Sequence, residues 1–207
     1  MIIKPVFKDK RYIPLWTIEG IDIPSTVTKS ILSDNQYSNY DSQIETTDPE
    51  FIAAHQGRSF HKDNYNLNLE LNKSLDHGLA LSNFLIQQED YYFADTWPTE
   101  GFRERLKDNR IGYDFVRDGK NYEQDPHVDN FFLMGSILIN LEDNPVGSGT
   151  RYYDPIKWIS EGKTELVFEG PVKKGTGVIH VNTPNNIHKG WNASDSFRYV
   201  AFGNIGI

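Results

Sequence analysis

The second half of the chain consists of short apolar runs separated by turn-forming residues. The runs cover residues 111–117, 131–141, 150–153, 164–168, 176–181 and 197–205, and Gly, Asn, Asp and Pro lie between them. Several short runs with this punctuation are typical of an all-β sandwich or barrel. Residues 133–141 are apolar on both alternating sets, so we expect an interior strand that is covered on both faces. The pattern predicts a β core over residues 110–207.

The first half of the chain has a different pattern. Residues 72–90 place apolar side chains on one face at helical spacing, which predicts a helix. A short helix with a polar cap is expected after Pro24, and a shorter amphipathic piece after Pro98. We therefore expect a single domain over residues 1–207, in which a helical and irregular part, residues 1–109, precedes the β core.

Residues 33–49 are rich in Ser, Asn, Asp, Tyr and Thr and predict a long loop. Loops of this length often close over a functional site. We therefore expect residues 33–65 to help form a substrate entrance and to order when a ligand binds. The alternative is a strand or loop that is packed permanently on the outside of the barrel.

The composition excludes several classes of protein. The chain has 207 residues, a net charge of −8 and no cysteine. Disulfides, zinc ribbons, iron–sulfur clusters and thiol nucleophiles are therefore excluded. The negative charge disfavours a non-specific grip on nucleic acid, and no apolar run approaches the roughly 18 residues of a membrane-spanning helix. The first residues lack the apolar region of a secretory signal. We expect a cytoplasmic protein with no membrane partner.

A histidine and a carboxylate lie two residues apart in the β region. In a strand, residues i and i+2 point to the same face, so His127 and Asp129 would present two adjacent metal ligands. His188 would complete a set of two histidines and one carboxylate, which on Fe(II) leaves positions open for substrate and O2. The tripeptide alone is a weak signal, and a surface histidine beside a turn aspartate is the alternative.

Arg198 follows His188 by ten residues, and the residues between them read as a turn. This spacing predicts an antiparallel hairpin in which both side chains face the same way, offset by about 7 Å. A metal-chelated 2-oxo acid with a far carboxylate would fit that gap. Arginine binds carboxylates through paired, charge-assisted hydrogen bonds. A plain surface arginine on an end strand is the alternative.

The order His-x-Asp, distal His, and Arg ten residues later resembles the 2-oxoglutarate and Fe(II)-dependent oxygenase superfamily. The small prolyl-hydroxylase-like members are the most similar. The resemblance covers about residues 110–205 and includes the long apolar stretch after Asp129 and the approach to His188. It also includes residues 147–150, where Ser148 replaces one glycine of a Gly-Gly-x-Thr-like pattern.

The resemblance implies a mainly β fold with N-terminal helices and a double-stranded β-helix, the jelly roll shared with cupins. It implies that Fe(II) is held by His127, Asp129 and His188. It implies that Arg198 binds the C5 carboxylate of 2-oxoglutarate, and that O2 is the oxidant. Ascorbate is expected to support activity.

The same resemblance concerns Ser136 and two tyrosines. Ser136 matches a position where related prolyl hydroxylases place a hydroxyl-bearing residue near the co-substrate. Tyr122 is preferred to Tyr113 as a co-substrate-binding tyrosine. Simple core or rim packing is the alternative for Ser136 and Tyr122. His180 alternates with Ile179 and Val181 and points away from them, so we expect a satisfied structural histidine rather than a fourth ligand.

The function implied by the resemblance is the hydroxylation of a protein or peptidyl residue such as proline, coupled to decarboxylation of 2-oxoglutarate to succinate. Asp129 favours hydroxylation, because halogenating members of the superfamily lack this carboxylate. The substrate is expected to be a protein, a peptide or a small molecule, with nucleic acid disfavoured. The alternatives are an oxygenase acting on a free amino acid or small metabolite, and a non-catalytic cupin-like protein that binds a metal or a sugar. A structural jelly roll is a further rival.

Overall fold

The computed structural model describes residues 1–9, 12–39, 56–75, 77–88, 111–129 and 133–206. The helices of this part are α1 (Ser25–Ile31), α2 (Asn64–Leu75), α3 (His77–Ile86) and α4 (Pro155–Glu161), with a 3₁₀ helix at Asp34–Gln36. The strands are β1 (Ile2–Pro5), β2 (Leu15–Glu19), β3 (Tyr37–Asn39), β4 (Arg58–His61), β5 (Gly112–Asp118), β6 (Tyr122–Glu123), β7 (Leu133–Asn140), β8 (Ser148–Tyr153), β9 (Leu166–Glu169), β10 (Gly177–Val181), β11 (His188–Asn192) and β12 (Arg198–Gly206). Within these ranges, no helix has both the length and the apolar character that crossing a lipid bilayer requires.

Two antiparallel sheets build the core. The larger sheet has the strand order β1-β2-β10-β7-β12-β5-β4-β3, and the smaller has the order β6-β11-β8-β9. Each of the six apolar runs in the second half of the sequence forms a strand. Strand β7 lies inside the larger sheet between β10 and β12. It is covered on both faces as predicted, since Ile137 and Ile139 belong to one buried cluster and Leu138 to the other.

One face of the larger sheet packs against helices. Ile137, Ile179 and Ala201 belong to a buried cluster that also contains Leu71 of α2 and Leu85 of α3. Because side chains alternate along a strand, this contact fixes which residues of β7, β10 and β12 face the helices. Their neighbours in sequence face the other way.

The opposite face of the larger sheet packs against the smaller sheet. The buried cluster on this side contains Leu138, Val178, Val200 and Tyr152, with Phe168 packed against it. Ser136, His180 and Arg198 each lie two residues from a member of this cluster along their own strand. They therefore point into the space between the two sheets. The apolar residues that pack the sheets together thus also fix the direction of these three polar side chains.

The first half of the chain departs from the predicted helical and irregular arrangement. Strands β1 and β2 precede the first helix, and β1 to β4 all belong to the larger sheet. They are difficult to recognise because each has only three to five residues. Helix α1 follows Pro24 as expected, but its first turn receives no side-chain hydrogen bond from the cap. The predicted polar cap is therefore wrong.

Helix α2 begins at Asn64 rather than at residue 72, where the apolar pattern starts. Asn64 accepts a hydrogen bond from the backbone N–H of Phe115 at 3.1 Å, and Asn68 exchanges two hydrogen bonds of 2.6 Å with the backbone of Tyr113. Asn72 donates to the carbonyl just before β5. These three side chains, the asparagine ladder, lie on one face at i+4 spacing. They bond the part of β5 that β4 does not reach, since β4 pairs only with residues 116–118.

The predicted entrance segment, residues 33–65, is described only at its ends. Strands β3 and β4 pair with each other, and β4 pairs with β5. Asn64 and Tyr65 belong to α2. These ends belong to the larger sheet and to a helix, and the role of the segment as an entrance stays a prediction. Residues 40–55 lie outside the described part of the chain, as does the amphipathic piece predicted after Pro98.

Candidate metal centre and its surroundings

The two histidines are brought together by a β-bridge. The N–H of His127 donates to the carbonyl of His188 at 2.9 Å, and the N–H of His188 donates to the carbonyl of His127 at 2.8 Å. The ring centroids are 4.6 Å apart. His188 begins β11 in the smaller sheet, so residues 61 positions apart in sequence become direct cross-strand neighbours. Together with Asp129 they form a group that we call the ligand cluster.

The side-chain hydrogen bonds fix which ring nitrogens face inward. Nδ1 of His127 lies 2.8 Å from the carbonyl oxygen of Asp125, and Nδ1 of His188 lies 2.9 Å from that of Asn186. A carbonyl only accepts, so both rings carry hydrogen on Nδ1 and leave the Nε2 lone pair free. Both Nε2 atoms lie 3.6 Å from Oδ1 of Asp129. Metal-binding histidines are commonly oriented in this way by their second nitrogen.

The second oxygen of Asp129 is held by other side chains. Ser136 donates to Oδ2 at 2.5 Å, and Nε2 of His180 lies 3.2 Å from the same oxygen. Because a carboxylate only accepts, His180 donates from Nε2, and its Nδ1 accepts from the hydroxyl of Tyr152 at 2.9 Å. Among the described side chains Oδ1 faces only the two histidines, which is the arrangement of a monodentate ligand.

The electrostatics of the ligand cluster suit a cation. Burial raises the pKa of Asp129, but the neighbouring rings of His188, His127 and His180 outweigh this effect and hold the pKa well below its usual range. Burial lowers the pKa of His188 to about 4, against the attraction of Asp129. At neutral pH the carboxyl is ionised and His188 is neutral, which are the states in which these groups bind metals. The three ligand atoms lie within 4.8 Å of one another.

Solvent reaches the ligand cluster from one side. The side chain of His127 is 35% exposed, whereas those of Asp129 and His188 are 12% and 5% exposed. His180 is fully buried behind the carboxylate. As expected, His180 is hydrogen-bonded on both nitrogens, but its contact with Asp129 was not foreseen.

Arg198 reaches the same interior by a route that differs from the predicted hairpin. Strand β11 pairs with β6 and β8, and β12 pairs with β5 and β7. The turn between β11 and β12 crosses from one sheet to the other, so the hairpin prediction is wrong. The side chain of Arg198 nevertheless spans the gap between the sheets. Its Nη2 donates to Oγ1 of Thr150 at 3.0 Å, and a Cβ at Gly190 would lie 3.4 Å from Nη1.

This placement puts Arg198 and the ligand cluster on the same inner surface. Gly190 and His188 are two residues apart on β11, so they face the same side. The guanidinium of Arg198 lies close to Gly190. It is therefore about two residues along β11 from His188, which is roughly 7 Å at strand spacing.

Arg198 is part of a row of charged side chains across three strands. Asp118 of β5 is the cross-strand partner of both Arg58 on β4 and Arg198 on β12. Nη1 of Arg198 donates to Oδ2 of Asp118 at 3.0 Å. Arg58 donates from Nε to Oδ1 at 2.7 Å and from Nη2 to Oδ2 at 3.1 Å. We call these three residues the arginine row.

The two candidate tyrosines lie in different environments. Tyr122 on β6 is buried, with the guanidinium of Arg58 4.5 Å from its ring centroid. Its ring is also one of the groups that a Cβ at Gly190 would contact, at 3.4 Å. Tyr113 belongs to the cluster on the helix-facing side of the larger sheet. Of the two, only Tyr122 lies beside the guanidinium of Arg198.

Two buried polar atoms beside the arginine row lack a hydrogen-bond partner among the described residues. They are the hydroxyl of Tyr122 and Nε of Arg198. Buried polar groups are normally bonded, so both are available to a bound polar molecule. Ser136, the third proposed co-substrate contact, instead places its hydroxyl on Asp129 and 2.8 Å from the side-chain amide of Asn204.

Sequence reasoning missed Arg58, Asp118 and Thr150. Asp118 directly follows the predicted strand 111–117, where it resembles an ordinary turn residue. A charged residue that is fully buried needs a partner, but the need appears only once the strand is placed inside the sheet. Thr150 lay in the segment that resembled a Gly-Gly-x-Thr pattern, and this was the one signal available for it.

Comparison with known proteins gives a likeness in structure only. No family model and no curated protein matches the chain significantly. A structure of the dioxygenase for auxin oxidation 1 from Arabidopsis thaliana, in a 2-oxoglutarate binary complex, has a TM-score of 0.55 at 12% identity, with 95% of this chain and 84% of that chain covered.

Two other solved structures are similar to a comparable degree. A prolyl hydroxylase in complex with a hypoxia inducible factor oxygen degradation domain peptide fragment from Trichoplax adhaerens has a TM-score of 0.52 at 13% identity, covering 93% and 83% of the two chains. The non-heme alpha ketoglutarate dependent carbocyclase SnoK from nogalamycin biosynthesis has a TM-score of 0.53 at 14% identity, covering 94% and 80%. At this identity the likeness concerns the fold: the chain shares the antiparallel jelly-roll architecture of these oxygenase structures.

Proposed function

We propose that this protein is a 2-oxoglutarate and Fe(II)-dependent dioxygenase. The observation that carries the proposal is the ligand cluster, in which two Nε2 lone pairs and one carboxylate oxygen converge while every other polar atom of the three side chains is held elsewhere. Two histidines and one carboxylate are the ligand set of non-haem Fe(II) oxygenases. The shared fold supports the same conclusion.

In this proposal Fe(II) is held by His127, Asp129 and His188. The chemistry that the metal would supply is activation of O2, coupled to decarboxylation of 2-oxoglutarate to succinate. The donor set fits the ion, since it combines one ionised carboxylate with inward-facing imidazole lone pairs. Ser136 and His180 keep Asp129 in place by bonding the oxygen that does not face the histidines.

The other residues of the interior bind and shield the co-substrate. Arg198 would receive the far carboxylate of 2-oxoglutarate, and its unbonded Nε–H offers one of the hydrogen bonds. The hydroxyl of Tyr122 offers another. Leu138 and Val200 line the space between the sheets, and these apolar walls keep water from the reacting groups.

We further propose hydroxylation as the reaction and a peptidyl residue such as proline as the substrate. Asp129 occupies the position at which halogenating members of the resembled superfamily lack a carboxylate. The prolyl hydroxylase with a bound peptide supports a peptide substrate through its shared fold. A free amino acid or small metabolite is the alternative, because the similar carbocyclase and auxin dioxygenase are named for small-molecule chemistry. The cysteine-free composition fits the proposed cytoplasmic location.

Succinate release tests the activity. The purified protein is incubated with Fe(II), 2-oxoglutarate, ascorbate and O2, with and without a library of proline-containing peptides. We expect slow turnover alone and faster turnover with the correct peptide, accompanied by a product heavier by one oxygen atom. Stimulation by small molecules but by no peptide would favour the metabolite alternative. Tight metal binding without any succinate, even with substrate candidates present, would favour a non-catalytic cupin-like protein.

A further inference from the structure

Arg58 has no role in the function proposed above, yet it is firmly bound inside the fold. It lies on β4, a strand from the first half of the chain, and its side chain is 9% exposed. It donates to both oxygens of Asp118, whereas Arg198 donates to one of them. Asp118 itself is fully buried. Arg58 is therefore the stronger partner of this carboxylate.

The charges of the arginine row do not cancel. Two guanidinium groups share one directly bonded carboxylate, so their charges exceed that of Asp118 by one. Asp114 also attracts Arg58, but it forms no ion pair with either arginine among the described residues. An arginine and an aspartate alone would form a neutral pair with little net attraction for an anion. The second arginine changes this balance, because it matches the charge of Asp118 and leaves the charge of Arg198 uncompensated.

The charge of Arg58 acts on Arg198 directly. Burial lowers the pKa of Arg198, Asp118 raises it, and Arg58 lowers it again by repulsion. An anion placed against Arg198 would relieve that repulsion. The guanidinium also has N–H groups to spare: it carries five, of which one bonds Asp118 and one bonds Thr150.

We propose that Arg58 is a positioning residue for the co-substrate. It holds Asp118 through both oxygens and offsets its charge, so that Arg198 presents an excess positive charge to the far carboxylate of the dicarboxylate co-substrate. Arg58 also packs against the ring of Tyr122, which keeps the unbonded hydroxyl of that tyrosine at the same end of the interior. This inference rests on the proposed function, since it concerns binding of 2-oxoglutarate.

The first test measures 2-oxoglutarate affinity by anaerobic calorimetry on Mn(II)-loaded protein. In Arg58→Met, Asp118 and Arg198 form a neutral pair, and we expect binding to weaken by about ten- to hundredfold, the effect of one unit charge across a partly buried site. Arg58→Lys keeps the charge and should retain most of the affinity. Mn(II) affinity should be unchanged in both variants.

The second test separates charge from packing. Asp118→Asn removes the carboxylate that Arg58 offsets, so the double variant Arg58→Met/Asp118→Asn again has one uncompensated guanidinium. We expect its 2-oxoglutarate affinity to return to within a few fold of the wild type. If Arg58 contributed only packing, the double variant would bind at least as weakly as Arg58→Met.

Arg117→Met is the matched control. Arg117 lies beside Asp118 on β5, its side chain is 15% exposed, and it contacts Tyr37 and Phe197 away from the arginine row. We expect wild-type 2-oxoglutarate affinity in this variant. Thermal unfolding of every variant confirms that the protein measured is folded.

The outcomes distinguish the two proposals. If the wild type binds Mn(II) but no 2-oxoglutarate, the proposed function fails. If the wild type binds 2-oxoglutarate and Arg58→Met binds it equally well, the positioning role fails while the proposed function stands. A double variant as weak as Arg58→Met would also overturn the charge argument.

Discussion

The ligand cluster and the arginine row are built on the same plan and are opposite in charge. Each has a carboxylate between two basic side chains in the space between the sheets. In the ligand cluster Asp129 is ionised and His188 is neutral, and the carboxylate attracts positive charge: against the effect of burial, it helps to raise the pKa of His127. In the arginine row both guanidinium groups are permanently charged, so positive charge is in excess. One end of the interior therefore suits a cation and the other suits an anion, and a metal chelated by a dicarboxylate satisfies both.

Removing the carboxylate of the ligand cluster should have the largest effect. Asp129→Ala takes away the only anionic ligand, and we expect tight Mn(II) or Fe(II) binding to be lost while the protein stays folded. Calorimetry or equilibrium dialysis measures the loss. Asp143→Ala, at an aspartate whose side chain is 66% exposed, should bind like the wild type. Stoichiometric binding by Asp129→Ala/His188→Ala would show that the metal lies elsewhere.

Removing Arg198 should affect only the end of the interior that binds the anion. Breaking a buried charged contact costs about 3–5 kcal/mol, so Arg198→Ala should weaken 2-oxoglutarate binding by roughly two orders of magnitude or more. Asp118 keeps its two bonds to Arg58, so no carboxylate is left unpaired and metal affinity should change little. Arg151→Ala, which removes an arginine paired with Glu169 on the smaller sheet, serves as the control. Equal 2-oxoglutarate affinity in Arg198→Ala would assign the carboxylate to another residue.

A smaller effect is expected behind the ligand cluster. His180→Phe removes one of the two donors that hold Oδ2 of Asp129, and changes at such supporting residues typically cost about ten- to hundredfold in metal affinity. Tyr152→Phe removes only the hydroxyl that bonds the far side of His180, so its effect should be weaker. Competition with a fluorescent chelator provides the measurement. Unchanged affinity in His180→Phe would mean that Ser136 alone is sufficient to hold the carboxylate.

The smallest effect on either site should come from the asparagine ladder. Asn68→Ala leaves the backbone N–H and carbonyl of Tyr113 without their partner, and an unsatisfied buried group costs about 1–3 kcal/mol. Urea unfolding should detect this loss of stability. Asn66→Ala, on the exposed side of the same helix, should stay within about 0.5 kcal/mol of the wild type. A change in metal affinity in Asn68→Ala would show that the ligand cluster is coupled to the asparagine ladder.

The part of the fold that could be predicted from sequence is the part with strong periodicity. The interior position of β7 follows from its apolar residues. His127 and Asp129 do converge, but the strand assumed for them is only an isolated bridge at His127. The pairing of β11 could not be predicted, because the turn after Asn192 has the composition of a hairpin while its strands join different sheets. The arginine row could not be predicted either, because Arg58 lies on a four-residue strand whose sequence has no clear alternation of apolar and polar residues.

The asparagine ladder has a consequence for the behaviour of the protein in concentrated solution. The primary amide of an asparagine side chain has the same donor and acceptor groups as a peptide unit, so α2 supplies detached peptide-like groups to β5 in place of a neighbouring strand. An open stretch of strand is a template on which another molecule can add a strand and start aggregation. Helix α2 occupies the open backbone groups of β5 at Tyr113 and Phe115. Because a helix bonds its own backbone internally, it offers no strand to which a second molecule could pair at this place.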